Sequence, residues 1–188
     1  MECVSIHILY SIFYGMEIIL IKREIKLVEL LKEKQLIITT AESCTAGLVS
    51  AAIVNVSGAS TVFKEGYITY CDESKHRLLG VSQDTLNKYK AVSAETAMEM
   101  AKGAADKARA DIGISVTGVA GPDTEDGKPV GLVYTGIYYY NDGVIVNKAY
   151  EHNLKGDRQQ IRNQAVECAI DMVIDVIDVI DDSNIDFK

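Results

Sequence analysis

Thr39-Thr40-Ala41-Glu42-Ser43-Cys44-Thr45-Ala46-Gly47 joins two runs of opposite character. Before it, Gln35 to Thr40 is short, apolar and β-branched around Leu36-Ile37-Ile38, the pattern of a buried strand. After it, from Leu48, the sequence turns helix-like. A serine at such a strand-to-helix turn lies where backbone N–H groups of the helix have no internal partner. Those donors can hold a developing oxyanion, a carboxylate or a phosphate. The small residues after Ser43 let a ligand or another backbone come close. The same residue types are also the preferred helix N-caps, which is their commoner use. The turn alone leaves both readings open.

Working outward, strands and helices alternate. A helix is expected over Lys22–Lys34, with Ile25, Leu27, Val28, Leu30 and Leu31 on one stripe. A second helix runs from Leu48 to Val56 and stops at Ser57-Gly58-Ala59-Ser60. Val62–Tyr70 reads as a strand, and Glu73–Leu79 as a short helix closed by Gly80. Helices follow over Ser82–Tyr89 and Ser93–Arg109, the latter with a capped start and a face of Ala101, Ala104, Ala105 and Ala108. Ile112–Val116 is a strand leading into the loop Thr117–Lys128. Gly131–Tyr140 and Val144–Leu154 form a hairpin around Asn141-Asp142-Gly143. The last helix runs from Gln159 to about Ile180, its apolar face on the sheet and its acidic face solvated. The fold class is therefore α/β: a layered α/β/α domain with a mixed, partly parallel sheet. In such sheets ligands bind at the carboxyl ends of strands. The loops Ala41–Gly47, Cys71–Lys75 and Thr117–Asp123 all follow strands, so Ser43, Lys75 and Thr117 are expected on one crevice.

The 188 residues suit one domain with a substantial core, and 48% hydrophobic with 24% charged residues is ordinary for a globular chain. The net charge of -8, with no basic run, argues against non-specific nucleic-acid binding. Cys3, Cys44, Cys71 and Cys168 are scattered without metal-ligand spacing, so no metal site and reduced thiols in a cytoplasm are expected. Residues 1–21 form an apolar extension, set apart from the domain at 22–188. The extension lacks the basic start of a signal peptide, and Glu17 interrupts it as a membrane helix. Met16 is a candidate true start; a peripheral anchor or an oligomer contact are alternative roles for the extension.

TTAESCTAG, GASTVFKEGYITYCDESKHRLLGV, AVSAETAMEMAKGAA, SVTGVAGPD with KPVG, and GDRQQIRNQA occur in that order between about Lys26 and Ile180. Together they resemble the carboxyl-terminal domain of the competence-damage-inducible CinA proteins. Single-domain members of that family are nicotinamide mononucleotide deamidases, which release ammonia and leave nicotinic acid mononucleotide. The resemblance implies Ser43 as nucleophile, Lys75 as base, and Tyr70 beside them to relay or orient the proton. It implies that Thr117, Gly118 and the backbone of Thr45, Ala46 and Gly47 bind the oxyanion or substrate, and that Arg158 pairs with the nucleotide phosphate. No cofactor is implied, the partner is the small nucleotide alone, and a homo-oligomer is expected. The longer members' nucleotide-pyrophosphatase-like domain has no counterpart in these blocks.

The chemistry suits these residue types. A serine hydroxyl needs a nearby base, and His7, His76 and His152 form no motif with Ser43. A lysine can act instead if its pKa is lowered by burial or by a neighbouring cation, for which Lys64, Arg77 and Arg158 are candidates. Taken singly, Lys75 reads as a solvated helix lysine and Tyr70 as a sheet-surface tyrosine. Cys44 is a rival nucleophile, since a helix N-terminus activates a thiolate. Ala46 stands where the family has a second glycine, and a methyl crowds the backbone there if φ is positive. Two other classes stay open: a nucleotide-binding regulatory domain without turnover, and a different Ser-Lys amidase or esterase.

Overall fold

The structure, a computed structural model, describes residues 22–185. The apolar extension expected over 1–21 therefore lies outside the described residues, which begin at Lys22, the N-cap of the first helix. The chain enters through α1 (Arg23–Lys34), whose Leu27, Val28 and Leu31 are fully buried on one stripe. β1 (Ile38–Glu42) leads to α2 (Leu48–Val54), a short 3-10 turn and β2 (Phe63–Ile68). Then come α3 (Asp72–Leu79), α4 (Gln83–Tyr89) and α5 (Ala94–Ala108). β3 (Ile112–Gly118), β4 (Leu132–Asn141), β5 (Val144–Asn153) and α6 (Arg158–Ile185) complete it.

The sheet order is β2-β1-β3-β4-β5. β2, β1 and β3 are parallel; β4 and β5 are antiparallel additions. This is the mixed sheet expected from the alternation of elements. β1 extends two residues past Thr40, because Glu42 still pairs with both Ile68 and Val116. Between two neighbours and under helices on both faces, its five residues are all buried. The polar ones are satisfied: Thr39 Oγ1 donates to the Glu65 carbonyl (2.8 Å), and Thr40 Oγ1 meets Ser50 Oγ (2.8 Å).

α1, α2 and α6 cover one face, where Leu31, Val49, Ile53, Ile161 and Ala169 pack against Ile38 and Ile112. α3, α4 and α5 cover the other, around Leu79, Leu86, Met100 and Ala104. The small face of α5 lets it lie directly on the strands. A Cβ on Gly113 would stand 2.0 Å from the Ala101 carbonyl oxygen, so only glycine fits there. The hairpin tip places Asp142 at φ 48 and Gly143 at φ 82, the left-handed pair of a two-residue turn. α6 continues to Ile185, and its acidic face is not simply solvated. Arg23 pairs with Glu167 and Asp171, Lys26 with Asp178, and Lys34 with Asp181. No helix of the described residues is long and apolar enough to cross a membrane.

Candidate active site

Ser43 is the first residue past β1. Its N–H donates to the Val116 carbonyl (2.9 Å), carrying the sheet ladder one residue further and fixing where the side chain leaves. The turn closes when the Ala46 N–H reaches the Ser43 carbonyl (3.1 Å). Ala46 sits at φ 50 and Gly47 at φ 96. A left-handed alanine carries strain of about 1–2 kcal/mol, so the methyl at 46 does crowd the backbone.

The donors at the start of α2 are not open. Glu42, 1% exposed, reaches from the strand end over the helix N-terminus. Its Oε2 accepts from the N–H groups of Gly47 (2.9 Å) and Val49 (3.0 Å). Its Oε1 accepts from the Ser50 N–H (2.9 Å) and Ser50 Oγ (2.7 Å). This corrects both readings of the turn. Ser43 is not the N-cap, which is Gly47 without a side-chain cap, and the helix end is not free for an oxyanion. In the turn itself, no oxygen of the described residues accepts from the N–H of Cys44 or Thr45.

Lys75 arrives from the adjacent strand. β2 ends, the Thr69 N–H donates to the Glu42 carbonyl (2.8 Å), and Cys71 caps α3, which carries Lys75 in its first turn. Lys75 is 1% exposed. Its Nζ donates to Ser43 Oγ (3.2 Å) and to the Thr69 carbonyl (3.1 Å). Burial pushes its pKa below the ordinary lysine value, while Asp72, 3.9 Å away, and Glu125 pull it back up. The expected cationic neighbours Lys64, Arg77 and Arg158 are not what lowers it; desolvation is, against acidic neighbours.

Ser43 opens into a cleft of about 110 Å³ at the carboxyl ends of the parallel strands. Its wall is built from Ser43 and Cys44, Tyr70, Thr117 to Gly121, Asp123, Glu125 and Arg158, so the Ser43 and Thr117 loops converge, whereas Cys71–Lys75 supplies no wall residue and Lys75 joins the site through its contact with Ser43. Ala91 and Val92, between α4 and α5, supply a wall the sequence did not signal. Lys128 ties that segment down by donating to the carbonyls of Tyr89 (2.9 Å) and Val92.

The other expected site residues are placed as follows. Tyr70 is exposed, and its hydroxyl accepts from Arg158 Nη2 (3.3 Å) rather than meeting Ser43 or Lys75. Arg158, the first residue of α6, also donates through Nη1 to the Gly121 carbonyl. Thr117 lines the cleft, but its hydroxyl proton goes to the Ala91 carbonyl (2.8 Å), so it is a brace and not a free donor. Gly118 lets β3 and β4 close up: a Cβ there would stand 2.8 Å from the Leu132 oxygen. Thr45, Ala46 and Gly47 stand behind the cleft wall, not in it. The hydroxyls of Thr45 and Thr69 are fully buried and meet no partner among the described residues.

Cys44 is no match for Ser43 as a nucleophile. Burial pushes its thiol up to about 11, so it stays protonated at neutral pH. Among the described residues no group of three or more His, Cys, Asp or Glu side chains converges as metal ligands would. Two residues of the site escaped the sequence. Glu42 caps a helix from outside it, and Arg162 of α6 donates through Nε to the Cys44 carbonyl (3.0 Å) and through Nη2 to the Thr45 carbonyl (2.9 Å).

Fold and site together define a three-layer α/β/α domain with a buried serine–lysine pair where two parallel strands end. Residues 21–177 match the CinA C-terminal domain, and the chain belongs to that family. It is 53% identical over 148 residues to a CinA-like protein of Kosmotoga olearia, covering 78% of this chain but 35% of that relative. The chain thus spans about a third of the length of the curated relatives it matches. Among solved structures, the competence or damage-inducible protein from Enterobacter asburiae aligns with a TM-score of 0.76 at 33% identity. That alignment covers 82% of this chain and 95% of the other. The competence/damage inducible protein CihA from Agrobacterium tumefaciens aligns at 0.73 and 34% identity, over 82% and 95% of the two chains.

Proposed function

We propose that this domain hydrolyses the carboxamide of nicotinamide mononucleotide, giving nicotinic acid mononucleotide and ammonia. The observation that carries the reading is the contact between Lys75 Nζ and Ser43 Oγ, 3.2 Å apart and both buried, with Ser43 lining the cleft. A buried amine whose pKa is lowered is a base poised for a serine proton.

Neutral Lys75 takes the Ser43 hydroxyl proton as Oγ bonds to the amide carbon. Collapse of the tetrahedral adduct breaks the C–N bond, with the Lys75 proton moving to the nitrogen, and ammonia leaves. Water then attacks the Ser43 ester, Lys75 again taking its proton, and the acid departs as Ser43 Oγ is reprotonated. The Thr69 carbonyl holds one amine hydrogen, which leaves the lone pair of the neutral amine free to face Ser43. Arg158, bound to Tyr70 at the cleft rim, offers its guanidinium to the nucleotide phosphate.

The test is ammonia release by wild type and Ser43→Ala from nicotinamide mononucleotide, beside nicotinamide, glutamine and NAD. Release from the mononucleotide alone, lost in Ser43→Ala, is expected. Release from another amide instead would make this a different amidase. Tight mononucleotide binding with no ammonia would make it a binding domain without turnover.

A further inference from the structure

We propose that Arg162 is a positioning residue of this site: it holds the nucleophile turn in its reactive shape by binding two consecutive carbonyls next to Ser43. The inference rests on the reading of Ser43 as nucleophile.

The turn does not hold itself. Its only internal bonds are from Ala46 N–H to the Ser43 carbonyl and from Leu48 N–H to the Thr45 carbonyl, the latter at 3.3 Å. It also carries an alanine in left-handed backbone, a conformation an L residue leaves readily when unsupported. Support comes from two sides. Glu42 takes the N–H groups at the helix end, and Arg162 takes the carbonyls of Cys44 and Thr45. Arg162 is 117 residues downstream of Thr45, so this is a tertiary brace. A rigid planar fork spans both carbonyls at once, which an ammonium on a flexible stem does not.

The geometry has a consequence for the adjacent donors. A trans peptide points its C=O and the next N–H in opposite directions. Fixing the Cys44 carbonyl on Arg162 therefore fixes the Thr45 N–H on the opposite side, and that N–H has no oxygen acceptor among the described residues. Releasing Arg162 frees that peptide to rotate: the Ser43 N–H stays anchored on Val116, but the backbone that follows Ser43 loosens, and with it the alignment of Oγ with Lys75. Misplacement on that scale costs roughly a hundredfold when reacting groups lose alignment. Arg158, which binds the Gly121 carbonyl and Tyr70 and not the turn, keeps its place for substrate binding.

The experiment compares wild type, Arg162→Lys and Arg162→Ala. Measured are kcat and KM on nicotinamide mononucleotide, the melting temperature, and the rate at which a fluorophosphonate probe labels Ser43, read by mass. Arg162→Ala is expected to lose about 10- to 100-fold in kcat and in labelling rate, with KM within about twofold. Arg162→Lys is expected to recover only part of the loss. Added guanidinium ion, at a concentration that leaves the melting temperature unchanged, is expected to raise kcat of Arg162→Ala but not of wild type. Unchanged kcat and labelling in folded Arg162→Ala, or a rise in KM alone, overturns the proposal. If Arg162→Ala does not fold, Arg162→Lys decides: wild-type kcat and labelling there overturn it. Wild type that labels at Ser43 without releasing ammonia sinks the substrate reading and leaves the brace testable by labelling. Wild type that does neither removes the nucleophile, and the brace with it.

Discussion

Replacing Glu42 by glutamine changes one oxygen to an NH₂ group and removes a charge, at a side chain making four hydrogen bonds. The amide oxygen can keep the Gly47 and Val49 donors. The NH₂ group then faces Ser50, whose hydroxyl can turn its proton to Thr40 and accept instead. The Ser50 N–H is left facing another donor. An orphaned buried N–H costs about 1–3 kcal/mol, and each bond that loses charge assistance weakens by roughly 1 kcal/mol. Relief from burying a carboxylate offsets part of this. The net expectation is a loss of about 2–4 kcal/mol, which at this chain length lowers Tm by roughly 2–4 °C for each kcal/mol. Urea and thermal unfolding followed by far-UV circular dichroism measure it. A change smaller than about 0.5 kcal/mol, the range of neutral surface substitutions, would refute the view that this carboxylate holds α2 to the strand.

Two further substitutions probe the same region. Lys75→Met removes a buried amine whose folded pKa lies below its ordinary 10.5. Between those two values the unfolded chain holds a proton that the folded chain does not, so wild-type stability rises with pH across that window. Lys75→Met is therefore expected to be the more stable protein at neutral pH, with its advantage shrinking as pH approaches 10.5. A pH-independent difference in urea midpoints would contradict this. Ala46→Gly relieves the left-handed strain at φ 50 but adds unfolded-state entropy. A gain of about 0.5–1 kcal/mol is expected, and a destabilised variant would show that the alanine methyl packs usefully.

The layered fold was legible because its signals are local. The stripe of α1, the Ser93 cap, which accepts from the Thr96 N–H, and the Asp142-Gly143 turn all lie within a few residues. The site was legible only in part. Ser43 and Lys75 stood out through motif resemblance, and the sheet register brought them together. Glu42 escaped because a cap is sought at the residue preceding a helix, whereas this carboxylate reaches back from the strand five residues before Gly47. Arg162 escaped because its acceptors are backbone carbonyls far away in sequence, which no side-chain pattern records. Thr117 resembles a ligand donor in sequence, but its proton is committed to the Ala91 carbonyl, brought in by the connection between α4 and α5. The sequence pattern ends β1 two residues early, at Thr40, because Ala41 and Glu42 resemble a turn until a neighbour pairs on each side.

The central claim is that a neutral Lys75 takes the proton of Ser43. Its most direct test is the kcat of Lys75→Arg on nicotinamide mononucleotide, beside wild type, from about pH 6 to about pH 10, a span that brackets a lysine lowered from its ordinary value. A guanidinium stays protonated across that range and cannot accept the serine proton. The account predicts a loss of at least about a hundredfold at every pH, while wild-type activity rises with an apparent pKa below 10.5. An active Lys75→Arg protein with the wild-type pH profile would show that Lys75 supplies only positive charge, and would contradict the account.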